Sequence, residues 1–434
     1  MRVLLVTPYL PHARVGHGGG TAVREMVRHL ARRHELMVAA LVRPGERELV
    51  DATAGELGCR IEPLPFLDAG AAGAARLRLA ASRAAALIRS LSGPYPYYVE
   101  KYHRPDLVRR LLALAADFAP QAIQVEYLQS ALLTRELYAW REARRRRGLP
   151  APALLASTHE LGSVPRERRA AREGNPLRAA ALRHQAAAWR RLQRDATRWV
   201  DRSLCVTDDD RARLEADGGR ACVTVPLGMD TDAIRPERAP IAPPRCLFVG
   251  SFDHGPNRTA AEFLVDSVWP ALAQWCPDAE LDVVGRGSDA FLARRGTLPP
   301  GVRAHGFVDS LTTFYRDCRL FVAPLPEGGG IKIKILEAMA HGIPVVTTPV
   351  GAEGIVTPDD RAAVIVPADA QFAAAVRDAL ADEEGCRERA ARARRIMEDR
   401  FSWRAIVDRL SDLYEEAARE DRTSPAGGSS HHGG

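Results

Sequence analysis

Lysine is almost missing from this chain. Only three of its 434 residues are lysine, at positions 101, 332 and 334, although Lys and Arg together number 61. Paired cysteine is missing too: the seven cysteines, at 59, 205, 222, 246, 276, 318 and 386, never fall in a Cys-x-x-Cys spacing. That pattern excludes a zinc ribbon and a disulfide-stapled scaffold, and it reads as reduced thiols in a cytosolic protein. No apolar run reaches the roughly eighteen residues of a membrane-spanning helix, so none is expected. The opening Met1-Arg-Val-Leu-Leu-Val-Thr-Pro is short and proline-terminated, and reads as a first strand rather than a signal peptide. Aromatic residues make up 6%. No aromatic platform or nucleic-acid motif accompanies the arginines, so nucleic acid is not an expected partner.

The chain is long enough for two domains with substantial cores. Its 46% hydrophobic and 27% charged content is that of a soluble globular protein. The net charge of +6 has its basic excess mainly in the first half. Arg144 to Arg147 form one run, and Arg76, Arg78, Arg83 and Arg89 dot an Ala/Leu-rich helical stretch. Leu77, Ala84, Ile88 and Leu91 share one face of that stretch. It reads either as a solvated helix face or as a peripheral contact with an anionic membrane surface.

Short apolar strands alternate with long helices, which argues for parallel sheets covered on both faces. Strands are predicted at 2–7, 34–41, 122–126, 154–158 and 203–206, with helices from Thr21 to about Arg33 and around 104–117, 130–147 and 165–199. Prolines 236, 240, 243 and 244 mark a linker. A second set of strands follows at 245–250, 281–284, 302–307, 320–323, 345–347 and 363–366. Gly285-Arg-Gly-Ser-Asp-Ala290 has the outline of a dinucleotide loop, but no acidic residue suits the ribose position and it is not assigned that role.

The most informative stretch runs from Pro324 to Val346. The strand Leu320–Ala323 leads into Gly328, Gly329 and Gly330, then a helix from about Ile331 to His341 that Gly342 and Pro344 end. Such a strand–loop–helix unit offers helix N–H groups and a positive dipole end to a phosphate. Two of the three lysines sit on this turn, and Lys334 and Glu337 are neighbours on one helix face. A cation for phosphate beside a carboxylate for ribose hydroxyls suits a nucleotide. The plain alternative is a solvated helix start with an ordinary ion pair.

This stretch resembles the donor-binding motif of glycosyltransferase family 4, nucleotide-sugar-dependent retaining enzymes. Their GT-B fold sets two Rossmann-like domains with parallel sheets facing each other across a cleft. That family usually has two glutamates separated by seven residues. Glu337 matches the second, the ribose contact; the first falls on Gly329, with Glu327 displaced by two positions. The loop is more similar to a subgroup reading Gly-Gly-Ile-Lys-x-Lys. The resemblance implies an N-terminal acceptor domain over 1–228, a linker over 229–244 and a donor domain over 245–400. A closing helix over 401–420 would pack back on the first domain, followed by a disordered tail over 421–434.

Donor contacts are then expected from Gly329, Gly330, Ile331, Lys332 and Glu337, with Lys334 and Arg258 neutralising the leaving diphosphate. Asn257, beside Arg258 at a helix start, is a second diphosphate candidate, and Ser251 takes the place where the family often has a basic residue. Arg286 matches a Gly-Arg-Gly turn, Phe307 and Val308 match the border of the nucleobase, and His305 lies at the donor edge. Gly19 and Gly20 match a glycine pair that approaches the donor phosphates from the first domain. His159 matches a histidine beneath the transferred sugar, and Glu126 is an acceptor-side candidate.

The expected reaction is hexosyl transfer from a nucleoside diphosphate sugar to an acceptor hydroxyl, with retention implied by the resemblance. Lysine, arginine and helix N–H groups supply the positive charge. Neither a metal nor a cofactor beyond the donor is expected. An epimerase of the same fold and a non-catalytic nucleotide-sugar binder are the alternatives. The expected location is cytoplasmic, peripheral to the inner membrane face if the basic helix docks there. Oligomeric state stays open.

Overall fold

Short, mostly apolar strands of two to eight residues make the two parallel sheets of this protein, the central ones buried on both faces. The computed structural model describes residues 1–13, 18–66, 73–236, 243–328 and 330–423. They fall into two compact units, one of Met1–Pro226 with Ile406–Gly434, the other of Leu227–Ala405.

The first unit holds β1 (Arg2–Thr7), β2 (Glu35–Val42), β3 (Arg60–Pro65), β4 (Ala122–Glu126), β5 (Ala153–Ser157), β6 (Arg202–Cys205) and β7 (Cys222–Thr224). They lie side by side in the order β3-β2-β1-β4-β5-β6-β7, every pair parallel. β3 was not expected from the sequence. It carries Pro63 and Pro65, which cannot donate to a ladder, and it is tolerated because it lies at the sheet edge. The single helix expected over 165–199 is two, Ser163–Arg172 and Pro176–Ala196. Asn175 separates them and caps the second, accepting from the N–H groups of Leu177 and Arg178.

The second unit holds β8 (Arg245–Val249), β9 (Glu280–Val284), β10 (Val302–Gly306), β11 (Leu320–Ala323), β12 (Val345–Thr347) and β13 (Val364–Ile365), in the order β10-β9-β8-β11-β12-β13. Its strands pack apolar residues to both faces. Cys246 and Phe248 of β8 join one core cluster, while Leu247 between them joins the other.

Both sheets reverse their strand order at one place, between β1 and β4 in the first unit and between β8 and β11 in the second. Helices leave in opposite directions there, which opens a crevice beyond the strand carboxyl ends. The ends of these four strands are where open α/β sheets take up ligands.

The C-terminal helix, Trp403–Thr423, begins in the second unit and from Ile406 belongs to the first. Its Tyr414 is fully buried and donates to Gln124 of β4 at 2.5 Å. The helix runs through residues 421–423, where a disordered tail was expected; the rest of that tail, 424–434, lies outside the described residues.

Candidate functional site

In the second unit the end of β11 turns through Pro324–Gly330 into a helix, Ile333–Ala340, that starts two residues later than the sequence suggested. Gly330 sits at φ +63°, a left-handed conformation that glycine adopts without strain. Gly329 lies outside the described residues. Half-buried Ile331 packs onto the core, and Lys332 forms the N-cap.

Neither lysine of this turn faces bulk water. Lys332 is buried, donates from Nζ to the Gly330 carbonyl at 2.8 Å and pairs with Glu353 at 3.2 Å. Lys334 reaches the end of β8, where its Nζ donates to Asn257 Oδ1 at 2.5 Å and lies 4.8 Å from the Phe248 ring centre. Burial, with Lys332 as a like charge beside it, pushes the Lys334 ammonium down to about 7. A cation that titrates near neutrality can take up a proton when an anion arrives.

Buried Asn257 is held in turn, donating from Nδ2 to the Ser251 carbonyl at 2.8 Å. The adjoining Gly250 cannot carry a side chain, because a Cβ there would lie 2.7 Å from Asn257 Cγ and 3.0 Å from Lys334 Nζ. The helix after this loop starts at Gly255 rather than at Thr259. Ser251, Asn257, Lys332 and Lys334 thus gather at the switch point, contributed by the loops after β8 and β11.

Glu337, one turn into the helix, accepts from the buried Tyr315 hydroxyl at 3.0 Å. Burial raises its carboxyl above the usual range, against the Tyr315 hydrogen bond, which lowers it. Tyr315 also stacks on His341, ring centres 4.5 Å apart.

The remaining donor candidates are arranged differently. The Arg258 guanidinium turns back to the Phe252 carbonyl at 2.6 Å and braces the loop. Exposed Arg286 contributes its own carbonyl to Phe252 N–H at 2.9 Å. His305 pairs with Asp282 at 2.6 Å. Phe307 is 66% exposed, while its neighbour Val308 is half-buried against the core.

The first unit builds a second cluster where β1, β4 and β5 end. Glu126, 1% exposed, receives Nε2 of His159 at 2.5 Å and also accepts from Gln124. Facing a carboxylate oxygen, that nitrogen is placed as the imidazole donor. Glu126 is therefore turned inward to His159 rather than presented to an acceptor. Tyr127 stacks on His159 with ring centres 3.6 Å apart. Both residues have left-handed backbone, φ +66° and +55°, which costs on the order of 1–3 kcal/mol each and marks a geometry imposed by its surroundings. Gly19 and Gly20 lie in the first turn of the helix Gly18–Ala31, not in a preceding loop. A Cβ on Gly19 would lie 2.3 Å from the Tyr127 hydroxyl, so glycine is needed there for close packing.

Sequence reasoning missed Tyr127, Tyr315 and Glu353. Each is one ordinary residue far along the chain from its partner, with no spacing to reveal it. It also passed over two Asp-x-Asp triplets, Asp208–Asp210 and Asp230–Asp232. Asp208 accepts from Thr224 of β7 at 2.7 Å, and Asp230 caps the N–H of Ala233 at 3.0 Å in a local turn.

The lysine turn lies within the part of the chain that is similar to a known family. Residues 243–382 match the family model described as Glycosyl transferases group 1. A phosphatidyl-myo-inositol mannosyltransferase of Mycobacterium tuberculosis is 30% identical over 220 residues, covering 48% of this chain and 57% of that protein. The match thus spans little more than half of that relative's length. Among solved structures, sucrose-phosphate synthase from Thermosynechococcus elongatus superimposes with a TM-score of 0.67 at 20% identity, over 97% of this chain and 100% of the other. Anabaena Alr3699/HepE in complex with UDP gives 0.63 at 15% identity, over 96% and 100%. Residues 243–382 of the second unit are thus similar to a group 1 glycosyl transferase domain, and the chain has the two-sheet GT-B fold.

Proposed function

We propose that this protein transfers a hexosyl group from a nucleoside diphosphate sugar to an acceptor hydroxyl, with retention and without a metal. The observation that carries this reading is the pair Lys332 and Lys334, drawn out of bulk water at the switch point of the second sheet. Leaving-group departure places negative charge on the diphosphate. Preorganised cations and the N–H groups of the first turn of Ile333–Ala340 stabilise that charge as it develops. Glu337 supplies a carboxylate for ribose hydroxyls, and Asn257 sets the direction of Lys334. In the first unit, we assign His159, held in place by Glu126, to contact with hydroxyls of the transferred sugar.

The relative's name gives a mannosyl group and the neighbour's a UDP, and neither fixes the donor of this chain, so the test spans UDP, GDP and ADP sugars. Nucleoside diphosphate release with and without acceptor separates the mechanisms. Steady release only with acceptor supports transfer. Conversion of the donor sugar without release would make the protein an epimerase, and neither would make it a binder. The comparisons favour transfer.

One surface feature supports a membrane-associated acceptor. In the helix Ala74–Ser92, which contains no acidic residue, Leu77 is 74%, Ile88 65% and Leu91 79% exposed. Arg76, Arg78 and Arg83 are exposed on the same helix, an arrangement suited to an anionic lipid surface. Co-sedimentation with vesicles containing anionic lipid, lost when the three apolar residues become serine, supports it; equal recovery with zwitterionic vesicles contradicts it.

A further inference from the structure

We propose that Glu353 is the carboxylate that reads the hydroxyls of the donor sugar, in place of the glutamate that the glycine loop lacks at position 329. This rests on the glycosyl-transfer reading and concerns its substrate specificity.

Three consecutive glycines, 328 to 330, put no side chain at position 329, and the loop's one carboxylate, Glu327, is displaced from it by two positions. The structure brings a carboxylate to it from elsewhere. β11 and β12 are parallel neighbours in register, Phe321 beside Val345 and Ala323 beside Thr347, so their carboxyl ends open side by side. β11 delivers Lys332. β12 leads through the short helix Pro349–Ala352 to Glu353, whose Oε2 lies 3.2 Å from Lys332 Nζ. The Glu353 side chain is 19% exposed against 6% for Lys332, so the carboxylate is the more accessible partner.

The turn that carries Glu353 is tied down at several points. Thr347 Oγ1 donates to the Ala323 carbonyl at 2.8 Å, and Thr348 Oγ1 to the Leu325 carbonyl at 2.6 Å. Thr348 also accepts from Gly351 N–H at 3.0 Å. A Cβ on Gly351 would lie 2.0 Å from Thr347 Oγ1, so the tight turn requires glycine there. Both threonines are buried, and their hydrogen bonds fix the exit of β12 to the exit of β11. Glu353 is thereby held by backbone rather than by its own flexibility, as a specificity group must be.

A carboxylate beside a diphosphate site repels the ligand's charge, which makes it a poor choice for a residue that only supports the lysine. Its presence is accounted for if it accepts hydrogen bonds from neutral hydroxyls next to the phosphates. Those are the hydroxyls of the sugar. The Lys332 pairing engages Oε2 of Glu353, and a carboxylate has a second oxygen with which to accept from a sugar hydroxyl.

The test compares Glu353→Gln and Glu353→Ala with the wild-type chain by titration calorimetry, using a nucleoside diphosphate alone and the matching nucleoside diphosphate sugar. A sugar contact predicts that affinity for the sugar-bearing ligand falls about tenfold or more, the usual size of a lost charge-assisted hydrogen bond. Affinity for the bare diphosphate stays level or rises. A deoxy donor lacking the contacted hydroxyl abolishes the difference between wild type and variant. Equal losses for both ligands would overturn the proposal and make Glu353 a support for Lys332 alone. Unchanged affinities for both would overturn it as well. If the wild-type chain binds neither ligand, the glycosyl-transfer reading falls and the proposal with it. Glu353→Gln, nearly isosteric, keeps the comparison available should Glu353→Ala unfold.

Discussion

Lys334 makes donor affinity depend on pH in a way that can be calculated. Its ammonium is lowered from the ordinary 10.5 to about 7 by burial, and next by the charge of Lys332. An anionic diphosphate stabilises the charged form, so binding raises the lysine's pKa and takes up a proton. The sign follows: affinity is full below the free-protein value near 7 and is lost as pH rises through it. The apparent dissociation constant scales as one plus ten to the power of pH minus 7. Relative to low pH it rises about elevenfold at pH 8 and about thirtyfold at pH 8.5. A nucleoside diphosphate sugar is the right ligand, because its doubly esterified diphosphate has no proton to lose over this range.

Calorimetry in two buffers of different ionisation enthalpy should show uptake of about nine-tenths of a proton at pH 8. Lys334→Met keeps an apolar stem beside the Phe248 ring and removes the charge; its binding should be weaker and independent of pH. Constant affinity between about pH 6 and 8.5, or a slope that survives in Lys334→Met, would refute the reasoning.

Three further outcomes follow from the geometry. Gly19→Ala should destabilise the protein by about 1–3 kcal/mol in chemical denaturation, because the clash with the Tyr127 hydroxyl outweighs the gain of about 1 kcal/mol in helix propensity. Adding Tyr127→Phe should restore most of the loss, and a stable single variant would contradict the packing argument. Tyr315→Phe removes the hydrogen bond that lowers the Glu337 carboxyl, so the acid limb of donor affinity should shift to higher pH, read by the same titrations. Glu126→Gln loosens the hold on His159 and should reduce kcat by about a hundredfold with little change in stability to chemical denaturation; a loss of stability parallel to the loss of kcat would assign Glu126 to folding.

What could be read from the sequence and what could not divide along physical lines. Runs such as Leu320–Ala323 and Val345–Thr347 are apolar throughout and bounded by Gly or Pro, so period and length alone identify them as buried parallel strands. β3 escaped because Pro63 and Pro65 argue against a strand unless it is known to lie at an edge, which only the assembled sheet shows. The lysine turn stood out because lysine is so scarce here. Its partners did not, since Asn257, Tyr315 and Glu353 are 77, 22 and 21 residues from the groups they bind. Gly19 was noticed for its place before a helix, and the structure supplies a different reason for it, the approach of Tyr127. Sequence pattern reports periodic burial, while pairings across a sheet end depend on topology.

The central claim is that the paired-lysine turn grips the diphosphate of an activated sugar. A crystal structure of the protein soaked with a nucleoside diphosphate tests it most directly. The account predicts phosphate oxygens within hydrogen-bond distance of Lys334 Nζ and of the first N–H groups of Ile333–Ala340, with Lys332 beside them. A nucleotide bound elsewhere, with Lys334 still on Asn257 and no phosphate near the turn, would contradict it.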